Sequence, residues 1–223
     1  MLGNRTWTKF HLWRSEHITD RQYIHFLSIV IGLIVGLAAV ALKNSVHYIH
    51  NLLTNDFARN FHNYLYFAYP AIGIIIVIFI TRFIIRKKIG AGIPTVLYSI
   101  SKDYGFIARH NMISSFITSA LTVGFGGSVG LEGPTIATGS AWGSYISRAM
   151  RLTYRQSLLM LACAGAGAMA AIFKAPIAAT VFVLEVLMID LTMASIVPLL
   201  FASVSAALTS YFFLGQDVIY HFE

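Results

Sequence analysis

An all-α, multi-pass membrane protein is the fold class this sequence predicts. Three observations support it: long uncharged apolar runs recur through the chain, basic residues cluster in the gaps between them, and glycine-proline signals interrupt some of the runs. Of 223 residues, 57% are hydrophobic and 11% charged, against about 45–50% and about 25% in soluble domains. A soluble globular domain is therefore disfavoured at once. Charge-free stretches long enough to cross a bilayer fall at residues 23–42, 60–81, 110–131, 156–173 and 191–216. They are continuously apolar and rich in Ala, Leu and Ile rather than alternating, which argues against a β-barrel.

The net charge of +7 does not imply a nucleic-acid partner, because the basic residues sit in short clusters. Arg5, Lys9, Arg14 and Arg21 form the first, Arg82, Arg86, Lys87 and Lys88 the second, Arg148, Arg151 and Arg155 the third. Such flanks mark the cytoplasmic side, and the expected partner is the lipid bilayer of a plasma or inner cell membrane. The first 22 residues lack a signal-peptide core, so the amino terminus is expected to stay cytoplasmic and uncleaved. The sole cysteine, Cys163, excludes an intrachain disulfide. The expected organisation is a cytoplasmic or interfacial segment 1–22, a transmembrane helical domain 23–214 and a polar end 215–223.

Residues 5–21 suit a short surface helix or a disordered tail. The first crossing, 23–53, exceeds about 20 residues and must tilt or protrude. Gly32 and Gly36 form a GxxxG pair on it, suited to a close helix contact. His47 and His50 have a spacing two metal ligands could use, but no further cluster supports a site, and no metal is expected. Residues 51–63 read as an external loop, and Tyr64, Tyr66 and Tyr69 as an interfacial belt.

A second crossing, 67–85, ends in basic residues and is followed by Gly90-Ala91-Gly92-Ile93-Pro94, a helix-start signal. Only about nine residues then precede Lys102, too few to span, so a helix is predicted to begin within the membrane. The run after Arg109 carries Gly124, Gly126, Gly127 and Gly130, and its backbone is predicted to unwind. Unwound backbone at that depth must be covered by protein or line a polar cavity.

The stretch 126–138 organises the chain. It holds one acid, Glu132, with no Asp, Glu, Lys or Arg from 110 to 131 or from 133 to 147. A carboxylate in such surroundings is costly and usually functional, although pairing with an Arg or burial in protonated form is the plain alternative. Gly133-Pro134 starts a helix over 135–145, so Glu132 is predicted to precede a helix N-terminus. That end offers unpaired N–H groups and a partial positive charge, a seat for an anion or for the ionised carboxylate. Two interrupted segments opening helices inside the membrane form the pattern of an anion site.

Downstream, apolar runs 156–173 and 175–188 are divided by Lys174-Ala175-Pro176, and 189–214 forms a last crossing with Pro198 inside it. Glu185 and Asp190 near the helix end fit capping or pairing. Gly139, Gly143 and the small residues of 162–171 fit packing. Gly126-Gly127-Ser128-Val129-Gly130 matches the G-x-S-x-G elbow of hydrolases. That elbow needs a preceding strand, and the flanks here are helical, so a serine enzyme built on Ser128 is the weaker alternative.

Taken together, Gly90-Ala91-Gly92-Ile93-Pro94, Gly130-Leu131-Glu132-Gly133-Pro134 and Phe173-Lys174-Ala175-Pro176-Ile177-Ala178 leading to Glu185 resemble the CLC family of chloride channels and proton-coupled anion exchangers. The resemblance covers the whole chain but only the family's amino-terminal half; the second half's Gly-x-Phe-x-Pro helix start and late tyrosine have no counterpart here. A half-built site is thus expected, in a fragment, a split gene product or a non-transporting partner subunit.

The resemblance implies an inverted-repeat fold and a homodimer carrying an inorganic anion such as chloride, with no cofactor. Glu132 matches the gating glutamate, whose protonation lets the anion pass. Gly130, Gly133 and Pro134 match the helix start beside it, and Leu131 stands where Lys or Arg is usual. Gly90, Gly92, Ile93 and Pro94 match the inner loop, whose serine touches the central anion; Ala91 stands there instead. Pro134 argues against the fluoride-selective branch. Proton-coupled members carry two successive acids on the helix after Ala-Pro. Glu185 matches the first and Val186 replaces the second, which leans toward channel-like or weakly coupled transport, with a proton-coupled chloride antiporter as the alternative, since some prokaryotic exchangers also lack that acid. The small residues of 202–207 are expected at the dimer contact.

Overall fold

The computed structural model describes residues 19–53, 68–87, 89–90, 92–189 and 192–215. These form eight α-helices and, among the described residues, no strand. In chain order they are α1 (Asp20–Leu52), α2 (Tyr69–Phe79), α3 (Ile93–Lys102), α4 (His110–Gly124), α5 (Glu132–Ala149), α6 (Tyr154–Phe173), α7 (Pro176–Val186) and α8 (Met193–Leu214), and α2 passes directly into a π-helical turn, Ile80–Ile85. The expected surface helix before Asp20, the external loop beyond Leu53, Tyr64, Tyr66, Lys88, Ala91, Asp190 and the polar end after Gly215 lie outside the described residues.

Local chemistry sets the helix ends. Thr19 and Thr153 open α1 and α6 with capping boxes, in which the threonine N–H donates to the side chain of Gln22 at 3.4 Å or of Gln156 at 3.1 Å. Pro94 and Pro176 sit in the first turns of α3 and α7, where a missing N–H costs little. Between α6 and α7, Lys174 adopts the left-handed conformation with φ 54° and breaks the helix. Its ammonium donates to the Gly215 carbonyl at 2.6 Å and lies over the Tyr211 ring, tying that break to the end of α8.

Helices α1, α6 and α8 are long and apolar enough to cross a membrane. At about 1.5 Å per residue, α1 reaches about 50 Å, well beyond the hydrocarbon thickness. Two-thirds of the apolar window of α6 is covered by protein, more than in α1 or α8, so α6 is the central post. Met160 through Ala164, including Cys163, and Ala166 on it are fully buried.

Contacts around α6 are made by small residues. A Cβ at Gly139 of α5 would stand 2.5 Å from the Ala164 carbonyl oxygen, and one at Gly143 2.6 Å from that of Met160. A Cβ at Gly32 would run into Ser205 and Ala202, and one at Gly36 into Ala206, so α1 presses its GxxxG face on α8. This corrects the expected place of a subunit contact. Ala202 and Ala206 are fully buried against α1 and α6 of the same chain, and Ala207 is nearly so, clustered with Ala170 of α6 and Ala179 of α7. The face of α8 left outward carries Phe201, Val204, Leu208 and Phe212.

A second correction concerns α5, which begins at Glu132 rather than at Thr135 and runs to Ala149. Proline can occupy the first turn of a helix without breaking an intrahelical bond, so Pro134 marks that turn without marking its first residue.

Gly32→Val should lower thermal stability in detergent by about 1–3 kcal/mol or more, the usual cost of forcing carbons into a filled contact. Leu33→Ala, on the exposed side of α1, should move the melting temperature far less.

Candidate functional site: two helix starts on one cleft

The first helix start is built by a forced turn. The π-helical turn after α2 ends at Arg86, left-handed at φ 50°. At Gly92 the backbone has φ 69° and ψ −136°, a conformation that disfavours any side chain, and it swings the chain into α3. Within that turn Thr95 N–H donates to the Gly92 carbonyl at 3.2 Å.

The second start follows the predicted unwinding. Helix α4 closes with Phe125 N–H to the Leu121 carbonyl and Gly127 N–H to that of Thr122, both at 2.9 Å, while Gly126 takes φ 82°. Residues 127–130 are non-helical, Leu131 is the N-cap of α5, and Glu132 is its first residue. The Thr135 N–H donates to Leu131 O at 3.0 Å, whereas the amides of Glu132 and Gly133 find no acceptor among the described residues.

Both starts open on one cleft of about 430 Å³. Gly90, Gly92, Ile93 and Pro94 line it from one side, Val129, Gly130, Gly133 and Pro134 from the other, and Ser115, Thr118 and Ser119 of α4 form a polar third wall. The two starts touch: a Cβ at Gly92 would lie 3.4 Å from the Gly133 carbonyl carbon. The sequence motifs at 90–94 and 130–134 are thus brought together, apart from Ala91, which lies outside the described residues, and Leu131 and Glu132, which stand at the start of α5 between the lining residues Gly130 and Gly133 without lining the cleft themselves. Val186 ends α7, packed on the main core and away from the cleft lining, with Glu185 exposed beside it.

Glu132 is half-buried, and among the described residues it makes no ion pair. Its carboxylate folds back on Gly130, and a Cβ on Gly130 would collide with Oε2. Glycine there leaves the acid room beside the unpaired amides. The polar wall from α4 was not singled out by sequence reasoning. Its signal was a hydroxyl repeat at 115, 118, 119 and 122 in an otherwise apolar run. Ser128 lies in the loop after α4 and is preceded by helix and turn, so the strand of a hydrolase elbow is missing there.

Helix starts aimed at one cleft place partial positive charge and N–H donors there, chemistry that suits a small anion. Among the described residues no Lys or Arg lines the cleft.

Comparisons with known proteins bear on the family and the fold. The H(+)/Cl(-) exchange transporter ClcA of Vibrio cholerae is 27% identical over 202 residues, which are 87% of this chain and 43% of that protein. A ClcB-like protein of Ralstonia nicotianae is 32% identical over 123 residues, 52% of this chain and 28% of that one. The chain therefore spans less than half the length of these curated relatives. Among solved structures, a CLC-type fluoride/proton antiporter superposes with a TM-score of 0.72 at 24% identity, over 91% of this chain and 50% of that one. A slow cyanobacterial Cl-/H+ antiporter does so with a TM-score of 0.72 at 21% identity, over 91% and 49%. These likenesses show the fold. The model of the voltage gated chloride channel family matches residues 72–223, and with it the chain belongs to the CLC family.

Proposed function

We propose that this chain contributes one half of a transmembrane pathway for chloride or a similar inorganic anion, with Glu132 as the gate. The observation that carries this reading is the single cleft onto which two glycine-proline helix starts open, with an unpaired carboxylate at one of them. The anion would be held by amide groups at Ile93, Glu132 and Gly133. Ionised Glu132 competes for the same amides, and its protonation removes the competitor. The protein would act as a multi-pass membrane protein and as a homodimer, and not as an enzyme.

Channel-like or weakly coupled transport follows from Val186, which offers no second proton acceptor on α7. A coupled exchanger is the second reading, favoured by the relative named as an exchange transporter.

Anion flux into liposomes carrying the full-length protein tests the gate. Flux should rise on acidification in the unaltered protein, and Glu132→Gln should raise neutral-pH flux and flatten the pH profile; an unchanged profile would sink the role of Glu132. Under an imposed proton gradient, the reversal potential should stay at the chloride equilibrium value if transport is uncoupled, and a shift with pH would establish exchange. Gly130→Ala should turn the Glu132 side chain off its seat, visible in a density map as a changed rotamer and in flux as weaker gating. The reverse result, an unmoved carboxylate, would show that the contact with Gly130 does not position it.

A further inference from the structure

Helix α4 runs beside both helix starts, and its hydroxyls fall into two groups. Ser114 donates to the His110 carbonyl at 2.7 Å, Thr118 to that of Ser114 at 2.9 Å, Ser119 to that of Ser115 at 2.6 Å and Thr122 to that of Thr118 at 2.8 Å. Each bonds back to its own helix, the usual fate of hydroxyls in apolar helices. Ser115 does not. It is 5% exposed, and its hydroxyl has no hydrogen-bond partner among the described residues. Its oxygen is not among the fully enclosed unpaired polar atoms, so it opens to the space it lines and can bond what enters there.

The position of Ser115 indicates what that is. Together with Gly90 it lines both the cleft between the helix starts and a small adjoining cavity of about 10 Å³. That space is close to the minimum for one water. Asn111, one turn earlier on α4, lines the same small cavity with a buried and unpartnered Oδ1. A water there can donate to Asn111 Oδ1 and to Ser115 Oγ at once, which leaves the Ser115 proton free to point into the cleft.

We propose that Ser115 is an anion-specificity residue, whose O–H donates from α4 to the ion held between the two helix starts. This inference rests on the anion-transport reading above. Compact chloride, with its concentrated charge, gains more from one added donor than thiocyanate, whose charge is spread over three atoms, so the hydroxyl sets selectivity as well as affinity.

The test is calorimetric titration of the full-length protein in detergent with chloride and with thiocyanate. Ser115→Ala should weaken chloride binding about tenfold, the effect of removing one hydrogen bond to a charged group, and thiocyanate binding much less. Ser115→Thr keeps the hydroxyl and should restore the preference. Ser114→Ala removes a hydroxyl committed to the helix and should change neither. If Ser115→Ala binds chloride as the parent does, or loses both anions equally, the role of Ser115 is overturned while the Glu132 gate stands. If the parent protein neither binds chloride nor transports it, the anion-transport reading falls, and this inference with it. Should the alanine variant fail to fold, Ser115→Cys, near in size but only a weak donor, carries the same expectation and the same refutation.

Discussion

A helix that begins inside a bilayer exposes amide groups that lipid cannot satisfy. This chain opens two helices on one cleft, at Ile93 and at Glu132, and much of the rest of the fold covers or aligns those two ends. The ten-residue α3 cannot span by itself, so its position depends on how the loop at its carboxyl end is anchored. Ser144, late in α5, donates to the Gly105 carbonyl at 2.7 Å and accepts the Ile107 N–H at 3.0 Å. Arg148 adds a bond from Nη2 to the Ile107 carbonyl at 3.0 Å and stacks on Phe106. The loop leaving α3 is therefore pinned to the far end of the helix whose near end bears Glu132. One helix, α5, sets the register of both starts.

That arrangement needs backbones to approach closely, and the means is the absence of side chains. Between helices in lipid there is little hydrophobic driving force, so association depends on packing and on hydrogen bonds that small residues permit. Gly139 and Gly143 bring α5 onto α6, and Gly32 and Gly36 bring α1 onto α8. Ser140 crosses the first of these contacts to the Leu161 carbonyl at 3.2 Å, and Thr180 and Ser203 pair between α7 and α8 at 3.0 Å. Large apolar groups such as Phe26, Leu37 and Phe212 are left on the outside. At the closest helix contacts the usual preference is inverted, with small and hydroxyl residues at the point of approach, while Ile31, Ile136, Leu161 and Leu199 fill the core between them.

This inversion explains which features were legible in the sequence. The helix starts at Pro94 and Pro176 and the break at Lys174 are local chemistry, and they stand within a residue or two of expectation. Glu132 entering α5 as its first residue was missed, because proline signals the first turn of a helix but not its first position. The stripe at 202–207 announces a close neighbour, and nothing in its composition says whether that neighbour is α1 of the same chain or a second subunit. Ser115 and Ser119 are the same residue type four positions apart on one cleft wall, and only the fold separates the hydroxyl that bonds back to its helix from the one left free among the described residues.

Placement of the acid inside the helix rather than ahead of it bears on how a gate can work. A full positive charge about 4 Å from an anion, at an effective dielectric of about 20, contributes about 4 kcal/mol, and a helix end with about half a charge contributes about half of that. An ion held by partial charges can be displaced by a competitor of equal charge and can still leave, as conduction requires. In the proposed site Leu131, uncharged beside Glu132, adds no full charge to this weak regime. On the proposed reading, the backbone N–H of Glu132, the first residue of α5, would belong to the trap while its side chain carries the rival charge. Seat and competitor share one α-carbon, so rotation about the side-chain torsions suffices to exchange them, and no helix need move. Gly130 makes that rotation possible, since any side chain there would occupy the space into which the carboxylate folds.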